Sequence, residues 1–405
     1  MPVWLDAIPD KAPASKRPDT RRWLVCLVVI MVAGCLLTFW YWSDQRVGFS
    51  FWFTALGLPF CVWGLIFSLR RFAYKIDQVG TEARNNEREK LLAAEIRRGQ
   101  RSAWILGTGV QMKGGSDVST VLNIIENKIP QSELTTLPDS RGKVPYSAIH
   151  GLQDSPETVI PDLISRLVSQ LQTTLARLPM DLPCWLMTDC DTVLSKEADA
   201  CIRQRLNEAT DRNIRPVPGK GLGAFDAWLD SCWDTPSVFI AVTLSCPLLP
   251  QEGEADAMTA VVLSNRRAVA FPDAARLHRP EKGNSSTLNH TLPRALLWAR
   301  TLPESVSSAW ISGPGVTRGA AWNNACEQAG TVFSLTDAIK NCDTAPGYAR
   351  QCAPWLAMML AESSPDAGAQ VIAAQPCADR DEIWVVVVSK DEVSKEMSGN
   401  VQDQS

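Results

Sequence analysis

The sequence predicts an α/β protein of two similar halves behind a pair of membrane-length helices, and three observations lead there. From residue 103 onward, short and nearly continuous apolar runs alternate with segments of helical periodicity, the pattern of sheets covered on both faces. Ala309-Trp310-Ile311-Ser312-Gly313-Pro314-Gly315-Val316 repeats Ala103-Trp104-Ile105-Leu106-Gly107-Thr108-Gly109-Val110 at six of eight positions. Each copy reads as a strand that stops at a Gly-x-Gly bend, with a helical segment behind it (117–128 and 320–330), so a duplicated domain is expected. Finally, residues 23–42 and 49–69 are uncharged runs of 20 and 21 residues.

Either run is long enough to cross a hydrocarbon core of ~30 Å as a helix. The gap, 43–48, has room only for a turn, so 21–71 is expected to form a transmembrane hairpin in the lipid bilayer. Trp23, Trp40, Tyr41 and Trp42 suit the interfaces, and Pro59 is expected to kink the second span. Lys16, Arg17, Arg21 and Arg22 precede the first run; Arg70, Arg71 and Lys75 follow the second; the loop has Arg46 offset by Asp44. Positive charge stays inside, which places the tail 1–20 and both termini on the cytoplasmic side of a bacterial inner membrane. A cleaved signal peptide does not fit a run this long with a second directly behind it. Residues 72–101 interleave Glu with Arg and Lys and hold no Pro, which predicts a helical stalk.

Composition narrows the function classes. A chain of 405 residues with 45% hydrophobic and 21% charged residues is globular with a modest membrane component. A net charge of −4 argues against a general nucleic-acid binder, which needs a basic face. The 12 Cys form no Cys-x-x-Cys pair and only three His accompany them, so no metal site and no cofactor is expected.

Past the stalk, residues 158–177 carry an apolar helical stripe, 183–188 read as a strand and 196–209 as a helix. Another helix at 222–233 is entered through Pro218-Gly219-Lys220-Gly221, and buried strands follow at 237–244 and 257–264. Residues 266–308 read as mostly irregular, apart from a helix at 292–300. An apolar helix at 354–361 and a strand at 382–389 close the fold, with a polar tail at 393–405 expected to be disordered. Trp185, Trp228, Trp310, Trp355 and Trp384 lie in apolar elements and are expected in the core.

In this order the elements resemble the thiolase-like superfamily, specifically the β-ketoacyl synthases, over roughly residues 102–391. Pro218-Gly219-Lys220-Gly221-Leu222-Gly223-Ala224-Phe225 looks like the family's nucleophile loop. Glu254 to Leu263 looks like the acidic-Gly-Ala-Ala-Ala strand that ends the first half. Ile311-Ser312-Gly313-Pro314-Gly315-Val316 looks like the His-Gly-Thr-Gly-Thr turn, and Thr344-Ala345-Pro346-Gly347-Tyr348-Ala349 like the Gly-His turn. The resemblance implies a duplicated five-layer αβαβα domain. Its first half is 102–267, a connection spans 268–308, and the second half is 309–392. A homodimer through the layer near the nucleophile loop is also implied.

The departures bear on function. The family needs a Cys at the helix start, where the N-terminus lowers the thiol pKa; Pro218, Gly219 and Lys220 stand there. It needs two His to polarise a thioester carbonyl; Ser312 and Tyr348 replace them, and neither substitutes easily for neutral imidazole. The expected function is therefore a non-catalytic adaptor or assembly protein that holds a protein partner at the membrane. The overall plan also resembles accessory proteins of bacterial type VI secretion systems, which would make that partner a secretion component or effector. The alternatives are an acyl-group binder that keeps the old tunnel, or a condensing enzyme or acyltransferase with a displaced thiol. The last would place Cys190, Cys232 or Cys246 within reach of His278 or His290. Asp189-Cys190-Asp191 reads more readily as a strand end capping the next helix than as a metal-binding Asp-x-Asp. Gly107-x-Gly109 lacks the third glycine of a dinucleotide fingerprint.

Overall fold

The computed structural model describes residues 3, 5–43, 48–136, 142–150, 156–192 and 194–390. The polar tail at 393–405 and the loop charges Asp44 and Arg46 lie outside them. The chain divides into two compact units, Trp4–Glu95 and Ile96–Ser405.

In the first unit, α1 (Thr20–Tyr41) begins at Asp19, whose carboxylate accepts the N–H of Arg21. A short α2 (Phe49–Trp52) runs through a π turn, Phe53–Gly57, into α3 (Leu58–Gly99). Thr20–Tyr41 and Phe49–Gly99 are both long and apolar enough to cross a membrane. The expected second span and stalk are thus one continuous helical run, and its irregularity sits one turn ahead of Pro59. Proline has no N–H to return to the carbonyl four residues back. That carbonyl, on Ala55, accepts the Cys35 thiol instead at 3.5 Å. Gly34 lets the two helices meet there, since a Cβ on it would lie 2.2 Å from Pro59 Cγ. Near the other end, the Trp63 indole N–H donates to Trp23 O at 2.9 Å.

The second unit is built on an 11-stranded sheet. Its strands, in chain order, are β1 (Ser102–Met112), β4 (Cys184–Thr192), β5 (Ile214–Pro216), β6 (Val238–Cys246), β7 (Ala257–Ser264), β8 (Arg276–His278), β9 (Glu281–Gly283), β10 (Val306–Ser312), β11 (Ile339–Asn341), β12 (Ala369–Ala374) and β13 (Ile383–Ser389). A separate hairpin pairs β2 (Glu133–Thr136) with β3 (Lys143–Tyr146). Across the large sheet the order is β11-β10-β12-β13-β8-β1-β7-β6-β4-β5, with β9 on β13. From either edge inward the pairings run parallel, parallel, antiparallel: β5-β4-β6-β7 on one side and β11-β10-β12-β13 on the other. The duplication is therefore real, but its register differs from the sequence expectation. The counterpart of β10 is β4, and the counterpart of β1 is β8.

The Gly-x-Gly of the first copy is not a bend. β1 continues through Gly107 and Gly109 to Met112. Both glycines are places where α5 (Pro156–Ala176) lies against the strand: a Cβ would meet Thr174 Oγ1 at 2.5 Å from Gly107 and Gln170 Oε1 at 2.8 Å from Gly109. Only the second copy turns, at Gly313 with φ 92°, into the short α9 (Pro314–Thr317).

Helices fill in the layers. One face of the first half-sheet buries Leu186, Ile240 and Val262 against α5 and α6 (Ser195–Thr210). The far face of the second half-sheet buries Ala309, Val371 and Val387 against α8 (Leu288–Ala299) and α10 (Ala321–Ala329). Between the half-sheets lie α4 (Val118–Glu126), α7 (Gly221–Ser231) and α11 (Ala353–Ser363), joined in one cluster with Phe239, Val261, Trp310 and Val386. Helix–sheet–helix–sheet–helix is the observed layering. The middle layer is apolar all round, as a doubly covered helix must be: α11 buries nine consecutive residues, Ala353 to Ala361. The stretch 268–308, expected to be mostly irregular, holds β8, β9 and a helix four residues longer at its start than its periodicity indicated.

Candidate active-site cleft

The first turns of α7 and α11, two of the three helices between the half-sheets, open on one cleft of about 560 Å³. α7 contributes Gly221, Leu222 and Gly223, and α11 contributes Pro354 and Trp355. These are matching positions of the duplication, α7 following β5 and α11 following β11. Lys220 is the residue before α7, with extended backbone and no side-chain cap. Its ammonium bonds Asp189 at 3.0 Å, and that bond raises its pKa. Pro218 and Gly219 lie just before it in the same turn, Gly219 at φ 92°.

Asp189 and Asp191 do not cap a helix. β4 extends through them to Thr192, and α6 starts after Leu194 with no side-chain cap. Both carboxylates line the cleft, where Arg350 reaches Asp191 at 3.4 Å. Trp384 also lines it, beneath the Lys282 ammonium at 5.7 Å, and is only partly buried, unlike Trp228, Trp310 and Trp355. Trp185, on the strand next to the sheet edge, is likewise only partly buried, under Arg215.

Ser312 and Tyr348 are placed elsewhere. Ser312 Oγ donates to Asp343 Oδ1 at 2.5 Å and Gly313 N–H donates to Oδ2 at 2.7 Å. Burial pushes the Asp343 carboxyl up to about 6 against the pull of these two donors. Tyr348 O–H donates to the Gln375 carbonyl at 2.7 Å. The Gln375 side chain accepts Gly315 N–H at 2.6 Å and donates to Arg380 O at 2.8 Å. One buried glutamine thus ties the Ser312 turn, Tyr348 and the β12–β13 loop together. Asp343 and Tyr348 border a second, smaller pocket of about 230 Å³, so Lys220 and Tyr348 line separate spaces.

The displaced-thiol arrangement is not assembled among the described residues. Cys190 lines the cleft but is buried, and burial together with Asp199 pushes its thiol far above the usual range. Cys246 is pushed up likewise, by burial and by Asp256. Cys232 ends α7 beside Ser231. His278 bonds Ser389 Oγ at 2.8 Å within the sheet, and burial lowers its pKa to about 3; His290 is exposed on α8. His150 lies 3.7 Å from Asp256, which also accepts Tyr146 O–H. Sequence reading missed Asp343, Gln375, Arg350 and Arg380, because nothing local marks a residue that the fold brings to a cleft or partner distant in the chain.

No family model matches the chain, and no curated protein matches it in sequence. Solved structures do match in fold. A type II polyketide synthase ketosynthase, solved with its acyl-carrier protein and bound to a hexaketide, superimposes with TM-score 0.54 and 11% identity, over 71% of this chain and 99% of that one. The ishigamide ketosynthase/chain length factor gives 0.52 and 11%, over 72% and 99%. An oxazolomycin ketosynthase domain of Streptomyces albus JA3453 gives 0.51 and 11%, over 72% and 76%. With five layers, a duplicated strand order and these neighbours, the Ile96–Ser405 unit has the thiolase-like fold of ketosynthases.

Proposed function

We propose that this chain is a membrane-anchored, non-condensing protein on the thiolase-like fold, an adaptor that holds a soluble partner at the bacterial inner membrane. A secretion machine of the type VI kind is the setting that its plan resembles. The observation that carries the reading is the commitment of all three key positions to structural bonds. Lys220 stands where a thiol is needed and is ion-paired to Asp189. Ser312 gives its proton to Asp343, and Tyr348 gives its own to a backbone carbonyl. A condensing site needs a thiolate and two donors aimed at a thioester oxygen; these side chains aim at the protein itself.

One observation favours a second reading, an acyl-group binder or acyltransferase. The cleft floor is apolar at Leu222, Pro354 and Trp355, and Cys190 and Cys377 line it. Affinity capture of tagged full-length protein from membranes, with mass spectrometry of co-purifying proteins and lipids, separates the two. The adaptor reading expects one abundant soluble protein, a secretion component or effector, and no thioester-linked acyl chain. An acyl-carrier protein or bound acyl chains, without such a partner, would overturn it.

A further inference from the structure

The cleft has donor capacity that none of its own groups uses. Arg350 holds left-handed backbone, φ 51°, at a non-glycine position, a conformation that persists only where surrounding structure enforces it. That strain brings a mostly buried guanidinium to the cleft wall. It stands 3.4 Å from Asp191 and 3.8 Å from Glu254 and makes no hydrogen bond among the described residues. Arg380, exposed on the β12–β13 loop, lines the same space, and its guanidinium has neither hydrogen bond nor ion pair among the described residues. The N–H groups of Gly221, Leu222 and Gly223 open α7 without an acceptor there, as the first donors of a helix must unless something outside supplies one.

The charges that face this space nearly cancel. Lys220 holds Asp189 at 3.0 Å and Lys282 holds Glu382 at 2.8 Å. Asp191 and Glu254 face Arg350, at distances too long for a strong bond. Arg380 also pulls on Glu382, but its N–H donors and the fork of Arg350 are left without a close acceptor among the described residues, beside a helix N-terminus that carries partial positive charge. Below them the floor is apolar, formed by Leu222, Pro354 and Trp355.

We propose that this cleft binds an oxyanion, a phosphate or carboxylate on a small apolar body, with Arg350 and Arg380 as its guanidinium partners and the first N–H groups of α7 as further donors. The inference rests on the non-condensing reading of that first turn, which leaves these donors without a substrate thioester to serve.

The test is calorimetric titration of full-length protein in detergent with phenyl phosphate and, separately, benzoate, so that the tighter probe identifies the oxyanion. Saturable binding to either is expected. Arg380→Ala and Arg350→Gln should each weaken it about tenfold or more, the cost of removing a charged hydrogen-bond partner. Lys196→Ala, which removes the same charge from the exposed face of α6, should leave the affinity unchanged. No saturable heat with either probe at millimolar concentration, or unchanged affinity in Arg380→Ala, would overturn the site. Arg380→Ala decides alone if Arg350→Gln does not fold, because Arg380 is exposed and its side chain makes no structural bond among the described residues. Condensation of an acyl thioester is assayed on the same preparation: activity there sinks the non-condensing reading whether or not the probes bind, and loss of probe binding without activity sinks the oxyanion site alone.

Discussion

A carboxyl group in the interior keeps its proton unless donors hold the anion, and Asp343 is caught between the two. Burial raises its pKa from 3.8 to about 6, while Ser312 O–H and Gly313 N–H pull it back. The native state therefore binds a proton over a range where the unfolded chain has released it. Stability from this group is fully present below pH 3.8 and is lost as pH rises through about 6, a difference of about 3 kcal/mol. Asp343→Asn removes the titration but leaves one acceptor, so the variant should lose that slope while costing about 1–3 kcal/mol at acid pH through the mispaired donor. Urea unfolding of both proteins at pH 4.5 and pH 7 reads the effect. If the two proteins show the same change in midpoint between these pH values, Asp343 does not titrate in that window. His278 works with the opposite sign, since burial lowers its pKa to about 3; it weakens the fold as pH falls below 6.5 and so partly masks the Asp343 slope in both proteins equally.

Between elements, the contact that sequence misreads most is that of β1 with α5. Gly107 resembles a bend from its neighbours alone, yet its role is to admit a helix: a methyl group there would lie 2.5 Å from Thr174 Oγ1 and 2.8 Å from Thr174 Cγ2. Gly107→Ala should destabilise the domain by about 1–3 kcal/mol by overpacking. Thr174→Ala, which removes both of those atoms, should recover most of the loss in the double variant, and thermal unfolding of the four proteins measures the coupling. Additive losses would place the strain in the β1 backbone instead. The same locality explains what was legible. Apolar runs such as 257–264 coincide with β7, because burial on both faces writes itself into composition. Lys220 was singled out by the Pro-Gly-Lys-Gly turn in the sequence, and it lines the cleft. The register of the duplication was not legible, because β10 corresponds to β4 through pairing partners, and the small–Trp–aliphatic triplet that Cys184-Trp185-Leu186 shares with Ala309-Trp310-Ile311 is a shorter match than the one β1 offers. Arg350 was likewise invisible: a positive φ at arginine depends on what surrounds it.

At the scale of the whole molecule, each of the two units buries apolar surface by a different means. The thiolase-like unit encloses its middle helices between half-sheets and adds a charged cluster, in which Arg98, Arg101 and Arg279 all reach Asp230 on α7. Burial would raise the pKa of that carboxyl, but the Arg98 and Arg279 hydrogen bonds outweigh it and hold it far below the usual range. Among the described residues of the Trp4–Glu95 unit there is no such enclosure. Leu24, Val28, Leu36, Leu58, Leu65 and Leu69 are all exposed along α1 and α3, a continuous apolar surface that water does not tolerate and lipid does. Cys26 and Cys61 lie on this surface, both exposed. If lipid covers it, a membrane-impermeant maleimide applied to intact membranes should leave Cys26 and Cys61 unmodified, and the same reagent should label both once the membranes are dissolved in detergent and the protein is denatured. Variants keeping only these two of the 12 cysteines make the readout unambiguous by mass spectrometry. Alkaline carbonate should leave the protein in the membrane pellet. Labelling of either cysteine in intact membranes, or release by carbonate, would mean that the exposed faces of α1 and α3 are covered by protein rather than by lipid, and the anchoring half of the proposed function would fall with them.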